Sequence, residues 1–350
     1  MGEPHDVLRD AGPDLRPVER PDAYRHAGVS IAAGSEAVER YRAITKGRRH
    51  PSQLGELGGF SGLFALPGDA SKALVASTDG VGTKVLVAVQ LRRYDTVGAD
   101  LVNHCVNDIL VTSATPLFFL DYLALGRLDP DIAAAIVSGI ERACADHDMA
   151  LLGGETAEMP GVYQAEDFDL AGTIVGIVEV ARIPNPENVQ AGDAVIGLPA
   201  EGLHTNGYTL ARRLIPPEAW GDALLAPHAS YYHVVRNIER VADVRAMAHI
   251  TGGGLLDNVA RTLPAGCKAV LEQSRWAVPQ IMHELILKGD LTHAERYRTF
   301  NMGIGYTLVV PLSDVPSVFE AAPQAQVIGW IEQRHGAEPP VVIHPAREAR

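Results

Sequence analysis

The sequence predicts an α+β protein of two domains, and three observations carry that prediction. At 350 residues the chain exceeds one typical domain. Strand-like and helix-like stretches interleave along it, yet few form the regular strand–helix–strand units of a doubly wound sheet. The Pro-rich stretch Ile183-Pro184-Asn185-Pro186-Glu187 interrupts the pattern and marks the expected boundary between residues 21–182 and 183–345. Apolar residues make up 47% of the chain and charged ones 21%, enough for a proper core. Aromatics are only 6%, so small aliphatic side chains must fill much of it.

The elements follow in order. Residues 1–20 are charged and contain proline, so a poorly ordered tail is expected. A helix is predicted over 35–45 with Ser35 as its N-cap. The Gly-rich stretch 55–62 leads into a strand over 63–66, and Ala73 to Ala76 forms a second strand before a turn over 78–84. A helix covers 100–114 and a dense apolar run, 116–123, reads as a central strand. Asp129-Pro130-Asp131 opens a helix reaching about Asp146. Met149 to Leu152 is a buried strand ending in a glycine turn that carries Glu155, and Asp169 to Val180 is another strand. In the second half, strand 192–199 precedes the loop Gly202 to Tyr208 and a helix over 209–214. Thr251-Gly252-Gly253-Gly254 precedes a helix over 255–263, and its three glycines suggest close backbone approach to a ligand.

Chemistry concentrates between Ala76 and Asp108. In the turn Thr78-Asp79-Gly80-Val81-Gly82-Thr83-Lys84, glycines expose backbone N–H groups while Lys84 and Thr83 add a charge and a hydroxyl. Asp79 would repel a bare phosphate, but it fits if a divalent cation lies between them. On a helical wheel Asp100, Asn103, His104 and Asn107 fall within about 60° of one direction, with Asp108 at the edge. That stripe holds oxygen ligands without Lys or Arg, the donor set of Mg2+. The expected metal group is therefore Asp79, Asp100, Asn107 and Asp108. No Walker A loop and no strand-to-helix G-x-G-x-x-G supports the common nucleotide folds.

The bulk numbers exclude other classes. A net charge of −13 argues against general nucleic-acid binding. Three distant cysteines, Cys105, Cys144 and Cys267, match neither a zinc spacing nor a disulfide framework. No apolar run reaches membrane-spanning length and the N-terminus lacks a signal-peptide core, so a soluble cytoplasmic protein is expected.

Seven motifs then occur in order: TDGVGTK (78–84), CVNDI (105–109), PLFFLDYLALGRLD (116–129), GGETAEMPGVY (153–163), HTNGY (204–208), HITGGG (249–254) and RTFNMGIG (298–305). With these the chain resembles the phosphoribosylformylglycinamidine cyclo-ligase family, the aminoimidazole ribonucleotide synthetases of purine biosynthesis, over residues 22–345. The resemblance implies ATP-dependent, Mg2+-dependent ring closure of formylglycinamidine ribonucleotide. The amide oxygen would be phosphorylated, and the amidine nitrogen would then displace phosphate. Such chemistry asks for charge neutralisation and positioning rather than a nucleophilic side chain.

Residue by residue, the resemblance assigns Asp79 and Asp100 to metal and nucleotide, and Gly80, Gly82, Thr83 and Lys84 to the phosphate loop. Gly59 and Gly62 would cover the nucleotide, and Gly153, Gly154 and Glu155 form the GGET element. His204 is implied in proton transfer or polarisation of the amide. Thr205, Asn206, Gly207, Thr251, Gly252 and Gly253 would meet the ribose phosphate. The family is dimeric, with N-terminal sheets joined in a barrel, so a homodimer is implied. The chain departs from the family at Arg25, His26 and Ser30, where Lys and two acids are usual, and at Asn103 and His104, where smaller or apolar residues are frequent. The closest alternatives are kinase-like relatives sharing the ATP-binding architecture; a catalytically silent nucleotide-binding protein is a rival of another class.

Overall fold

The computed structural model describes residues 23–47 and 49–346; the expectation of a poorly ordered tail lies outside them. Helices α1 (Ala23–His26) and α2 (Ile31–Thr45) lead into strands β1 (Gln53–Leu54), β2 (Gly62–Leu66) and β3 (Asp69–Gly80). Helices α3 (Lys84–Leu91) and α4 (Val97–Leu110) follow, then β4 (Thr115–Leu125), α5 (Pro130–Asp146), β5 (Ala150–Glu158) and β6 (Phe168–Glu179). These strands form one sheet in the order β1-β2-β3-β6-β4-β5. After two short turns come β7 (Ala194–Pro199), β8 (Ala246–His249), β9 (Cys267–Glu272), β10 (Ile304–Val310), β11 (Gln326–Gln333) and β12 (Val341–His344). They make a second sheet in the order β12-β9-β11-β7-β10-β8. Most pairings are antiparallel, only β4–β5 and β9–β12 being parallel, so the sheets are mixed as an α+β fold requires.

Several boundaries differ from the sequence reading, among them the helix expected over 100–114, which spans Val97–Leu110. Helix α2 begins four residues earlier than expected, because Ser30 rather than Ser35 is the N-cap and accepts a bond from the Ala33 N–H at 3.1 Å. Strand β3 continues through Thr78-Asp79-Gly80, since its ladder to β6 holds to Gly80↔Ala171. Strand β5 runs on to Glu158 because its ladder with β4 continues past a bulge at Leu152. Helix α5 starts as expected, with Asp129 accepting from the N–H groups of Asp131 and Ile132.

Helix α4 packs on β3, β6 and α5, filling one face of the first sheet with Leu101, Val102, Cys105, Val106 and Ile109. It crosses α5 at close range: a Cβ on Gly98 would lie 2.2 Å from the Ile136 carbonyl oxygen. The opposite face of that sheet is apolar and open. Phe64, Leu120, Tyr122 and Leu152 are 37–63% exposed. Among the described residues no helix is long and apolar enough to cross a membrane, and all three cysteines are buried and free.

Candidate active site between the two sheets

The polar stripe of α4 divides by function. Asp100, Asn103 and Asn107 do not form an open cation site; they grip the backbone of the segment from Ala226 to Tyr231. Asp100 Oδ1 accepts from the His228 N–H at 2.7 Å, while Oδ2 lies 2.7 Å from Lys84 Nζ. Lys84 in turn donates to the Ala226 carbonyl at 2.8 Å. Asn103 donates to the His228 carbonyl, and Asn107 donates to Ala229 O and accepts from the Tyr231 N–H. Lys84 and Asp100 are both fully buried. Desolvation pushes the ammonium down and the carboxyl up, and their contact opposes both shifts. Lys84, expected in the phosphate loop, and Asp100 and Asn107, expected as metal ligands, are here occupied in clamping one domain to the other. A wheel cannot tell a solvated stripe from one covered by another domain.

The remainder of the stripe faces Asp79. That carboxylate stands near the end of β3, its side chain 45% exposed, with Oδ1 accepting from the Gly80 N–H and Oδ2 at 2.8 Å from His104 Nε2. Burial acts against ionisation of Asp79, but His104 outweighs it and holds the carboxyl low. Burial likewise disfavours charge on His104, yet the carboxylates of Asp79 and Asp108 prevail and raise it to about 9. Asp108 is buried, accepting from Ser77 at 3.1 Å and bonded to His249 Nδ1 at 2.8 Å. Of the residues expected to hold a metal, Asp79 keeps an open carboxylate and Asp108 a closed one.

Loops from both domains meet beside Asp79. Gly82 (φ +69°) lies so near the second domain that a Cβ would be 3.9 Å from the Thr205 carbonyl oxygen. The Thr83 hydroxyl is 2.9 Å from that of Thr209, and no side chain caps α3. A Cβ on Gly252 would come 3.6 Å from Asn206 Oδ1, so the HTNGY and TGGG loops are neighbours. Asn258 pins the latter by donating to the carbonyls of Thr251, Gly252 and Gly254. Gly59 and Gly62 line a separate cavity of about 640 Å³ that reaches Ser77.

Two expected residues stand elsewhere. Across the first sheet Asp79 pairs with Gly172, Gly172 with Asp121, and Asp121 with Gly154. Glu155, one residue further, projects to the opposite face, exposed on the edge strand with Gly153. The GGET element therefore does not join Asp79 within one chain. His204 is buried, 1% exposed, and neither ring nitrogen has a hydrogen-bond partner. It lies against His228 with ring centroids 4.1 Å apart. His228 and His249 complete this cluster and were given no role from the sequence: His249 opens the HITGGG motif, His228 stands in none, and only the fold brings them together.

The halves of the chain match two models in sequence, "AIR synthase related protein, N-terminal domain" over residues 61–178 and "AIR synthase related protein, C-terminal domain" over 190–341. The chain belongs to the AIR synthase related family. Among solved structures it is similar to HypE from E. coli, at 19% identity and a TM-score of 0.61 over 77% of this chain and 81% of that one. Hydrogenase maturation protein HypE in complex with ATP is similar at 20% identity and a TM-score of 0.60, over 89% of this chain and 92% of that one. Thiamine-monophosphate kinase from Stenotrophomonas maltophilia is similar at 18% identity and a TM-score of 0.57, over 89% and 96%. At these identities the likeness is one of fold. Within this AIR synthase-like fold the 78–84 turn that carries Asp79 meets the Thr205–Thr209 loop of the second half.

Proposed function

We propose that this family member is an ATP-dependent cyclo-ligase that closes formylglycinamidine ribonucleotide to aminoimidazole ribonucleotide, releasing ADP and phosphate. The observation that carries the reading is the meeting of TDGVGTK, HTNGY and TGGG beside one half-open carboxylate, Asp79, at the domain junction. The full motif set, spread over both domains, supports the cyclo-ligase over a kinase-like relative. The similarity to a HypE solved in complex with ATP supports ATP as the nucleotide.

The residues present fit Mg2+ and ATP in part. Asp79 keeps free lone pairs on an accessible carboxylate, as a Mg2+ ligand must. Gly82 and Thr83 offer backbone groups at the uncapped start of α3, suited to the phosphates, while the Gly80 N–H is bonded to Asp79. Asp108 backs this position through His249 and Ser77, and His104 balances the charge of Asp79. Mg2+ would supply charge neutralisation on the transferred phosphoryl group. Thr205, Asn206, Gly207, Thr251, Gly252 and Gly253 would orient the ribose phosphate against the nucleotide, where positioning and exclusion of water do most of the catalytic work. A homodimer fits the open apolar sheet face, and Glu155 on that face would then lie at the joint between copies.

The test is to incubate the purified chain with formylglycinamidine ribonucleotide, ATP and Mg2+, with a control lacking the ribonucleotide. Equal amounts of aminoimidazole ribonucleotide and ADP, formed only with substrate, support the reading. ADP without the imidazole product points to kinase-like transfer to another acceptor. Bound ATP with neither product points to a silent binding protein.

A further inference from the structure

We propose that His204, His228 and His249 form a site for one divalent transition-metal ion of the zinc class, separate from the oxygen-bound Mg2+ assigned to Asp79. The rings come from three distant loops and strands, and each is at most 1% exposed. One nitrogen of each lies within 4.8 Å of those of the other two. His228 and His249 turn their Nε2 atoms toward each other across 3.0 Å. Metal–nitrogen bonds of about 2.05 Å at a tetrahedral centre place ligand nitrogens about 3.3 Å apart, so the His228–His249 pair needs to open by only a few tenths of an ångström, while the His204 ring, stacked on His228, must turn to bring one nitrogen to the ion.

His204 supplies the second observation. It is a fully buried imidazole with both nitrogens unpartnered, an arrangement that forfeits its hydration without return. Its backbone sits at φ +62°, a region few non-glycine residues occupy without cause. Room for the ring exists because residue 305 is glycine: a Cβ there would lie 2.4 Å from His204 Cε1. A coordinated ion would give one of those two nitrogens the partner it lacks.

The surroundings fit the same ion. His249 Nδ1 is bonded to Asp108 Oδ1 at 2.8 Å, a carboxylate–histidine pair that turns the Nε2 lone pair toward the centre. His228 Nδ1 lies 3.3 Å from Thr205 Oγ1, which also meets His104 Nδ1 at 2.7 Å. Three imidazoles favour zinc, cobalt, nickel or copper over Mg2+. His104 borders the site, its Nε2 already directed at Asp79.

The site can be tested without nucleotide, so its failure and that of the cyclo-ligase reading are distinguishable. Full-length protein stripped with chelator is titrated with Co2+ and then Zn2+. The expected result is one Co2+ per chain with the visible spectrum of a low-coordinate nitrogen site, displaced by one equivalent of Zn2+ and not by a large excess of Mg2+. His228→Gln should weaken Co2+ binding at least tenfold, while His283→Gln, an exposed helix residue, should leave it unchanged. No stoichiometric uptake by the unsubstituted protein, or equally tight uptake by His228→Gln, overturns the proposal. X-ray absorption of the zinc-loaded natural protein needs no variant: three imidazoles at about 2.0–2.1 Å support the site, and oxygen-dominated scattering overturns it.

Discussion

Two ion pairs grow from neighbouring stretches of the chain and end in opposite roles. Lys84–Asp100 is closed: both side chains are 0% exposed, and their remaining hydrogen-bonding capacity goes to Ala226 and His228 of the second domain. His104–Asp79 is half open, with histidine 4% and aspartate 45% exposed. A desolvated and fully satisfied pair has nothing left to offer a ligand. A pair with one solvated carboxylate can exchange partners, which is what metal-assisted nucleotide binding needs. The contrast teaches that acidic residues on one helix and its preceding loop must be sorted by what covers them, not by their spacing.

The largest expected effect breaks the closed pair. Lys84→Met leaves Asp100 buried without its counter-charge and should cost about 3–5 kcal/mol in denaturant unfolding. Adding Asp100→Leu should recover only part of that, because the His228 N–H and the Ala226 carbonyl remain unpaired. Next comes the open pair. His104 is raised from 6.5 to about 9 in the folded protein, so its contribution is fully present below pH 6.5 and lost as pH climbs toward 9. In metal-free protein that loss should reach about 3 kcal/mol across this window, and His104→Gln should flatten the curve. A flat profile in the unsubstituted protein would show that Asp79 and Asp108 do not hold the imidazolium.

Asn107→Ala removes two backbone partners in the clamp and should cost about 2 kcal/mol, with nucleotide binding retained by the folded fraction. Loss of nucleotide binding without loss of stability would return Asn107 to the metal site. The smallest stability effect belongs to Asp79→Asn, about 1–1.5 kcal/mol near pH 7, since it removes part of the His104 stabilisation while Asp108 stays 3.7 Å from the ring. Activity, by contrast, should vanish.

Much of the fold is legible in the sequence. Helix α5 shows itself through Asp129 and Pro130, and the apolar run behind β4 reads as a central strand. The start of α2 is harder to place because two serines, Ser30 and Ser35, compete as caps and only tertiary context chooses. For the site, the glycines and Asp79 are legible as an open loop at a strand end, but the contacts of Lys84, Asp100 and Asn107 are not, because a second domain supplies their backbone partners. Glu155 fails differently: a strand that continues past its glycines reverses the face on which the carboxylate projects. His204 and His249 open the HTNGY and HITGGG motifs and His228 stands in none, so no spacing in the sequence shows that the three become neighbours through long-range packing.

The central claim, that the open pair binds and the closed pair holds, is tested most directly by Mg2+-dependent ATP binding to Asp79→Asn, measured calorimetrically beside its unfolding curve. The account predicts at least a tenfold loss of Mg2+-dependent affinity with an unfolding midpoint close to that of the unsubstituted protein. Unchanged Mg2+-dependent affinity in a stably folded Asp79→Asn protein would contradict it.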